Sequence, residues 1–283
     1  MASIVVIGSV NLDLAATVSR LPKAGETVTG AQLHRFPGGK GANQALAARR
    51  LGADVKMIAR TGNDATADEA LALLCEGGVD LSGCVRDDDR PTGVAMISVA
   101  PSGENHIVVA PGANGGLLPE TLQIPSADAL ICQLEVPEST VVHAAGIFSG
   151  FFCVNLAPAR RIDVSVLQRA DLVVVNESEA AWYGDTLAAC NGMVATTYGA
   201  QGAVLRQSGA VVARSGVRSV QAVDTTGAGD AFTAAVTVAL VEGMAPHQAL
   251  EFACAAGAAA TTKMGAQPSL PTREEVMKLL GPG

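Results

Sequence analysis

Aromatic side chains are scarce in this chain: 3% of 283 residues, with one Trp, two Tyr and six Phe. Its core must therefore be built from Ala, Val, Leu and Ile, and the length suits one large α/β domain or two small ones. Charge is sparse too, at 16% of residues, too little for charge-driven disorder. The net charge of −8 comes without a basic stripe. This argues against nucleic acid as a partner, because neutralising a phosphate backbone needs clustered Lys and Arg. A small anionic ligand needs only local positive potential and stays open. No apolar run reaches the roughly 18 residues that a membrane helix requires, so no membrane partner is expected. The opening MASIVVIGSVNLDL lacks a basic leader and reads as a β-strand rather than a signal peptide. Six cysteines (Cys75, Cys84, Cys132, Cys153, Cys190, Cys254) form no C-x-x-C pair, and four histidines are equally dispersed. Neither set has metal or disulfide spacing, and free thiols in a reducing cytoplasm are the economical reading.

What is present is an alternation of short β-branched runs with Ala-rich helical stretches. Strands are predicted over 3–7, 55–60, 129–134, 152–156, 172–175 and 194–197. Helices are predicted over 42–51, 65–75, 139–145, 178–187, 231–243, 247–262 and 272–280, the last opened by the capping box Thr272-x-x-Glu275. Continuous apolar strands between helices imply an α/β class, a mostly parallel sheet covered on both faces. Two stretches, 14–36 and 92–110, break the rhythm and read as antiparallel β, the second around a turn at 101–103.

Chemistry concentrates in a few segments. In AVDTTGAGDAF, Gly227, Ala228 and Gly229 allow a tight turn whose amides can face an anion, and the following helix adds its positive end. Asp230 on that turn is a carboxylate kept ionised beside an anion hole, the arrangement that hydroxyl-to-phosphoryl transfer requires. A Gly-rich turn with Asp230 merely capping a helix accounts for the segment equally well. In FPGGKGANQALAA, Gly38, Gly39 and Gly41 permit close approach to a ligand, and Lys40 and Asn43 supply donors. An ordinary loop-to-helix junction fits it too. Asn11 and Asp13 follow the first strand, and Glu135 follows the strand ending LICQLE. Both are carboxyl-end positions where open parallel sheets bind ligands, though a turn in which Asn11 and Asp13 bond their own backbone and a solvated loop acid at Glu135 fit as well. Asn176-x-x-Glu179 could bridge Mg²⁺ through water or simply cap a helix. Several nucleotide and nucleophile motifs are missing: G-x-G-x-x-G after the first strand, a Walker A loop and G-x-S-x-G.

In this order and spacing, the segments resemble the PfkB (ribokinase-like) family of carbohydrate kinases, and within it the bacterial ribokinase branch. The two signatures are GGKGANQALAARRLGADV and DTTGAGDAF. The likeness extends over essentially the whole chain through AGETVTG, GNDA, TGVAMI, GANG, QLEVP, NLAPAR, VNESEA and MGAQPS.

The resemblance implies a three-layer α/β/α fold with a mostly parallel central sheet and a small antiparallel β lid. A single domain would have its core at about 1–13, 38–88 and 111–283, with lid insertions at about 14–37 and 89–110. It implies transfer of the γ-phosphoryl of ATP to the primary 5-hydroxyl of D-ribose, or in a sibling enzyme to deoxyribose, fructose or a nucleoside. A non-catalytic sugar or nucleotide sensor is the alternative from another class, and retention of Asp230 with its GAG turn speaks for the kinase.

By the same resemblance, Asp230 is the general base and Gly227, Ala228 and Gly229 are the anion hole. Asn11, Asp13, Gly39, Lys40, Asn43 and Glu135 hold the sugar. Asn176, Thr197, Tyr198, Gly199, Ala200, Gln201, Gly202, Gly229 and Cys254 meet ATP, with Mg²⁺ near Glu179 through water. A monovalent cation, K⁺, is implied at the Asp224 and Ser269 side chains and the carbonyls of Thr226, Ala260, Lys263 and Gly265. A homodimer through the lid and a cytoplasmic location follow. The segment between 176 and 197 is abbreviated relative to the family, which bears on the nucleotide side.

Overall fold

The first strand, β1 (Ser3–Ile7), shows how this sequence builds layers. Ile4 and Val6 pack into one apolar cluster, while Val5 and Ile7 pack into another on the opposite face. A strand with a continuous apolar run facing both sides is stable only with both faces covered. A computed structural model describes residues 1–101 and 104–281, so Ser102 and Gly103 of the expected 101–103 turn lie outside the described residues.

After β1 come β2 (Asn11–Thr17), β3 (Gln32–Gly38), α1 (Lys40–Arg50), β4 (Asp54–Gly62), α2 (Ala65–Glu76), β5 (Asp80–Asp87), β6 (Gly93–Val99) and β7 (Asn105–Ala110). The central part holds β8 (Ala129–Gln133), α3 (Glu138–Ile147), β9 (Phe151–Asn155), α4 (Val164–Arg169), β10 (Leu172–Asn176), α5 (Glu177–Tyr183) and β11 (Met193–Thr197). The chain ends with β12 (Ala203–Gln207), β13 (Ala210–Ser215), α6 (Ala228–Val241), α7 (Pro246–Ala260), the short α8 (Ala266–Ser269) and α9 (Arg273–Leu280).

Nine strands form the main sheet in the order β13-β12-β11-β10-β9-β8-β1-β4-β5. Pairing is parallel from β11 to β5, and only the β11/β12 and β12/β13 pairs are antiparallel, so β12 alone is reversed. One face is covered by α1, α2, α6, α7 and α9, the other by α3, α4 and α5, giving the expected three layers. The chain leaves β1 toward β4 on one side and resumes with β8 on the other. That reversal makes the β1/β8 boundary the switch point where open α/β sheets bind ligands.

The scarcity of rings is met by small residues. Ala42, Ala45, Ala231, Ala234, Ala235 and Ala253 are fully buried where α1, α6 and α7 pack, which lets the helices approach closely.

A second sheet has the order β3-β2-β6-β7. Its outer pairs, β2/β3 and β6/β7, are antiparallel as expected, and the two hairpin-like units join through a parallel β2/β6 pair. It exposes Leu33, Met96, Ile107, Val108 and Val109.

Five elements, β5, α4, β12, β13 and α8, escaped the pattern reading. β5 is mostly polar and interrupted by Gly83, whose missing side chain lets it lie against Ile58. The β12–β13 hairpin turns at Ser208 and Gly209, both with positive φ, a two-residue turn of the primed kind. α4 is only six residues long, capped by Asp163 onto the Ser165 amide. Helix α5 ends at Tyr183, and a 3-10 stretch, Gly184–Ala189, replaces the helix expected to 187.

Candidate active site

The site grows from three chain segments that converge at the β1/β8 switch point. After β1 the chain turns directly into β2, placing buried Asn11 and Asp13 on its first residues. Gly39 caps α1 with φ +89, and a Cβ there would lie 2.7 Å from the Asn11 amide nitrogen, so only Gly allows this approach. A Cβ on Gly38 would fall 2.3 Å from Asp13 Oδ2, so the carboxylate of Asp13 occupies the space a larger residue would take. The Lys40 amide donates to Glu135 Oε2 at 3.0 Å, joining the N-terminus of α1 to the loop after β8.

Asp230 lies in the first turn of α6, not on a turn ahead of it. The helix starts at Ala228, three residues earlier than the sequence reading, because Gly227 adopts the left-handed conformation (φ 82) and serves as its N-cap. The first helical bond runs from the Ala231 amide to the Gly227 carbonyl at 2.9 Å, so the Gly229 and Asp230 amides have no acceptor within the helix. The Ala228 amide is turned onto the Thr225 carbonyl at 3.2 Å. The Asp230 carboxylate is buried and held on both oxygens, by Asn43 Nδ2 at 2.8 Å and Gln44 Nε2 at 2.9 Å.

Electrostatically this is an acidic pocket around one lysine. Burial raises Asp230 above the usual carboxylate range, while Lys40 and the two amide hydrogen bonds pull it back. Burial, followed by Glu135 and Asp230, pushes Asp13 up to about 7, with Lys40 acting the other way. For Lys40, burial works against the charge, but Asp230, Glu135, Glu179 and Asp13 outweigh it and the ammonium is raised. The lysine stays cationic as a counter-ion to several acids at once. An ionised acid beside helix-terminal amides and a fixed cation can deprotonate a hydroxyl and stabilise charge growing on a transferred group.

Directly adjoining, through Ala228 and Gly229, is a cleft of about 490 Å³. Of the residues expected at ATP, Thr197, Gly199, Ala200, Gly202, Gly229 and Cys254 line it; Asn176, Tyr198 and Gln201 do not. The segment Val217, Arg218, Ser219 and Val220 lines it too, as do Phe232 and Gly257. The Cys254 Sγ lies 3.9 Å from the Ser215 carbonyl, and burial raises its thiol.

Asn176 and Glu179 form a reciprocal capping box on α5, each side chain bonding the other's amide at 2.8 Å. The helix-cap reading is therefore realised, and burial raises Glu179. Asp224 accepts from the Thr226 amide and hydroxyl through Oδ1 and from the Gly265 amide through Oδ2 at 2.8 Å. It thus ties the two segments that carry the expected cation ligands. Ser269 is buried with its hydroxyl on the Ala266 carbonyl, and Lys263 pairs with Glu275 at 3.3 Å. Carboxylate, hydroxyl and main-chain carbonyls are hard oxygen donors that suit an alkali cation. Among the described residues, no group of three or more His, Cys, Asp and Glu could hold a metal ion.

Comparison with known proteins agrees with the chemistry. The profile described as pfkB family carbohydrate kinase matches residues 1–273. The chain belongs to the pfkB family. Curated relatives include the ribokinases of Bacillus subtilis (38% identical, covering 99% of this chain and 100% of the relative) and Haemophilus influenzae (37%, 98% of each). Among solved structures, ribokinase from Thermotoga maritima superposes with a TM-score of 0.90 at 33% identity over 99% of both chains. Arabidopsis thaliana ribokinase, solved with ribose and ATP, superposes at 0.88 with 29% identity, covering 100% of this chain and 99% of that one.

Several polar residues of this pfkB-family site were missed by motif reading. Ser9 donates to Glu135 Oε2, and Asn114 donates through Nδ2 to Asn11 Oδ1 at 2.7 Å. Gln44, Gln133 and Asn155 form a buried amide row ending on Asp230. The available signal was polarity inside apolar runs, as in ALICQLE, where an unexplained Gln sits at the end of a doubly covered strand.

Proposed function

We propose that this pfkB-family kinase transfers the γ-phosphoryl of ATP to the 5-hydroxyl of D-ribose, giving ribose 5-phosphate and ADP. The carrying observation is that buried Asp230, fixed on both oxygens by Asn43 and Gln44, stands one residue from Gly229 of the nucleotide-sized cleft. Asp230 accepts the hydroxyl proton as the sugar oxygen forms its bond to the γ-phosphorus and the bond to the β-phosphate oxygen breaks. The proton then passes to solvent. Amides of the first turn of α6, with Lys40, face the charge on the transferring group. Asn11, Asp13, Gly39, Asn43 and Glu135 supply the donors and acceptors that orient a polyol.

Mg²⁺ brought with ATP would neutralise phosphate charge, held through water by Glu179. K⁺ would sit at Asp224, Ser269 and the carbonyls of Thr226, Ala260, Lys263 and Gly265, where it supports the loop leading into the anion hole. The small sheet acts as the lid over the sugar. Its exposed Leu33, Met96, Ile107, Val108 and Val109 suit a homodimer through the lids. A cytoplasmic location fits six free cysteines.

The test is ADP release by purified protein with MgATP, comparing ribose, deoxyribose, fructose and nucleosides, in K⁺ and in Na⁺. Ribose should give the highest kcat/KM, with the phosphate on O5 and faster turnover in K⁺. Absence of stimulation by any sugar or nucleoside would overturn the kinase reading, and preference for another acceptor would overturn ribose.

A further inference from the structure

A row of amide side chains in an otherwise apolar interior is aligned on the Asp230 carboxylate. Gln133, at the end of β8 and fully buried, donates Nε2 to Gln44 Oε1 at 2.7 Å. Gln44, fully buried on α1, donates Nε2 to Asp230 Oδ1 at 2.9 Å and to Asn155 Oδ1 at 3.2 Å. Asn155 is itself anchored on the Val174 carbonyl at 3.1 Å.

Chemistry fixes the direction of this row. An ionised carboxylate only accepts hydrogen bonds, so Gln44 must turn its NH₂ to Asp230. Its carbonyl must then face Gln133, which must in turn present its own NH₂. Gln133 Oε1 is left with no hydrogen-bond partner among the described residues. The space it fills exists because residue 8 is Gly, whose Cβ would lie 2.0 Å away. Burying an unpaired carbonyl is costly, and a hydrocarbon side chain at 133 would avoid that cost. The amide is therefore accounted for by what its other end holds.

We propose that Gln44 and Gln133 are positioning residues that hold the Asp230 carboxylate in one orientation and in its ionised form. The inference rests on Asp230 being the base. Asn43 and Lys40 from α1 also favour the ionised form. Burial of the carboxyl opposes it most, and Glu135 after β8, Asp13 on β2 and Glu179 on α5 oppose it as well. The contribution of Gln44 is a charge-assisted bond that weakens once the carboxyl is protonated.

The experiment is the pH profile of kcat/KM for ribose in wild type, Q44L, Q133L and the double variant, with thermal unfolding as the check on folding. Removing a hydrogen bond to the charged form raises the proton affinity of Asp230. In Q44L the acid limb should move up by about one pH unit, a loss of roughly tenfold on its acid side, with recovery toward wild type at alkaline pH. Q133L should shift in the same sense by less, and Q44L/Q133L no further than Q44L. A uniform drop at every pH, an unmoved limb or additive effects in the double variant would overturn the proposal.

If wild type released no ADP with any sugar, the proposed activity would fail, and a second readout would decide this inference on its own. The carboxyl carbon of Asp230 in ¹³C-aspartate-labelled protein, assigned by its loss in D230N, should titrate at higher pH in Q133L. An unchanged titration would overturn the proposal.

Discussion

Asn114 Nδ2 donates to Asn11 Oδ1 at 2.7 Å, while the same amide group reaches the Val10 carbonyl at 3.1 Å and Asn114 Oδ1 takes the Val10 amide at 2.9 Å. The carbonyl end of Asn11 is thereby occupied, and its NH₂ is the end presented to a ligand as a donor. Gly93 completes the joint, since a Cβ there would lie 2.2 Å from Asn11 Oδ1 and 2.3 Å from Asn114 Nδ2. N114A frees Asn11 to rotate. KM for ribose should rise about tenfold, the worth of one buried hydrogen bond, with KM for ATP unchanged. A parallel rise in both constants in steady-state assays would refute this assignment.

Asp13 links stability to pH. Its folded pKa of about 7 lies above the unfolded carboxylate value of about 4. Ionising it in the fold therefore costs stability progressively as pH rises from about 4 to about 7, and the cost is constant above that. D13N removes the cost, so its melting temperature should exceed wild type by a margin that grows across this window and then levels off. Sugar affinity should fall in the same variant. Equal pH dependence in the two proteins, followed by calorimetry, would exclude the coupling.

Replacing the proposed base by D230N keeps the shape and one accepting oxygen while removing the proton acceptor, and its new NH₂ meets one of the two amide donors, Asn43 or Gln44. Turnover should drop by roughly 10²–10⁴-fold. Sugar binding, measured by titration calorimetry, should largely survive. Turnover comparable to wild type would remove Asp230 from its assigned role.

Cys254 bounds the cleft of about 490 Å³ beside α6. C254L adds bulk at the wall, where overpacking costs about 1–3 kcal/mol, so KM for ATP should rise by roughly tenfold or more. Ribose affinity in the absence of nucleotide should not change. A shift in ribose affinity instead would place Cys254 outside the nucleotide site.

The layered fold was legible because its strands carry apolar runs of four consecutive residues facing both sides and its helices follow with short connections, as β1, β8 and β10 show. The motif residues were legible individually, but their meeting was not: Asn43 and Asp230 are 187 residues apart and only the fold brings them to 2.8 Å. Gln44 and Gln133 were hidden because a polar residue in an apolar run has no periodic signature, and its partner comes from another element. The start of α6 was misplaced because Gly227 and Gly229 read as one flexible turn. In the fold, Gly227 alone takes the left-handed conformation and Gly229 is already helical. The β12–β13 hairpin was missed because its strands are short and its outer positions polar or exposed.

The parallel pairing of β2 with β6 has a mechanical consequence. Seven residues of each, Asn11–Thr17 and Gly93–Val99, are in register from the point where both leave the core. The small sheet is therefore joined to the core where four chain segments cross side by side, at Asn11, Gly38, Gly93 and Ala110, not through one flexible tether. Four adjacent crossings resist torsion and sliding and leave a swing about the line through Gly38, Asn11 and Gly93 as the soft motion. Asn11, proposed above to hold the sugar, sits on that line, so a swing of the proposed lid would turn the side chain assigned to the sugar.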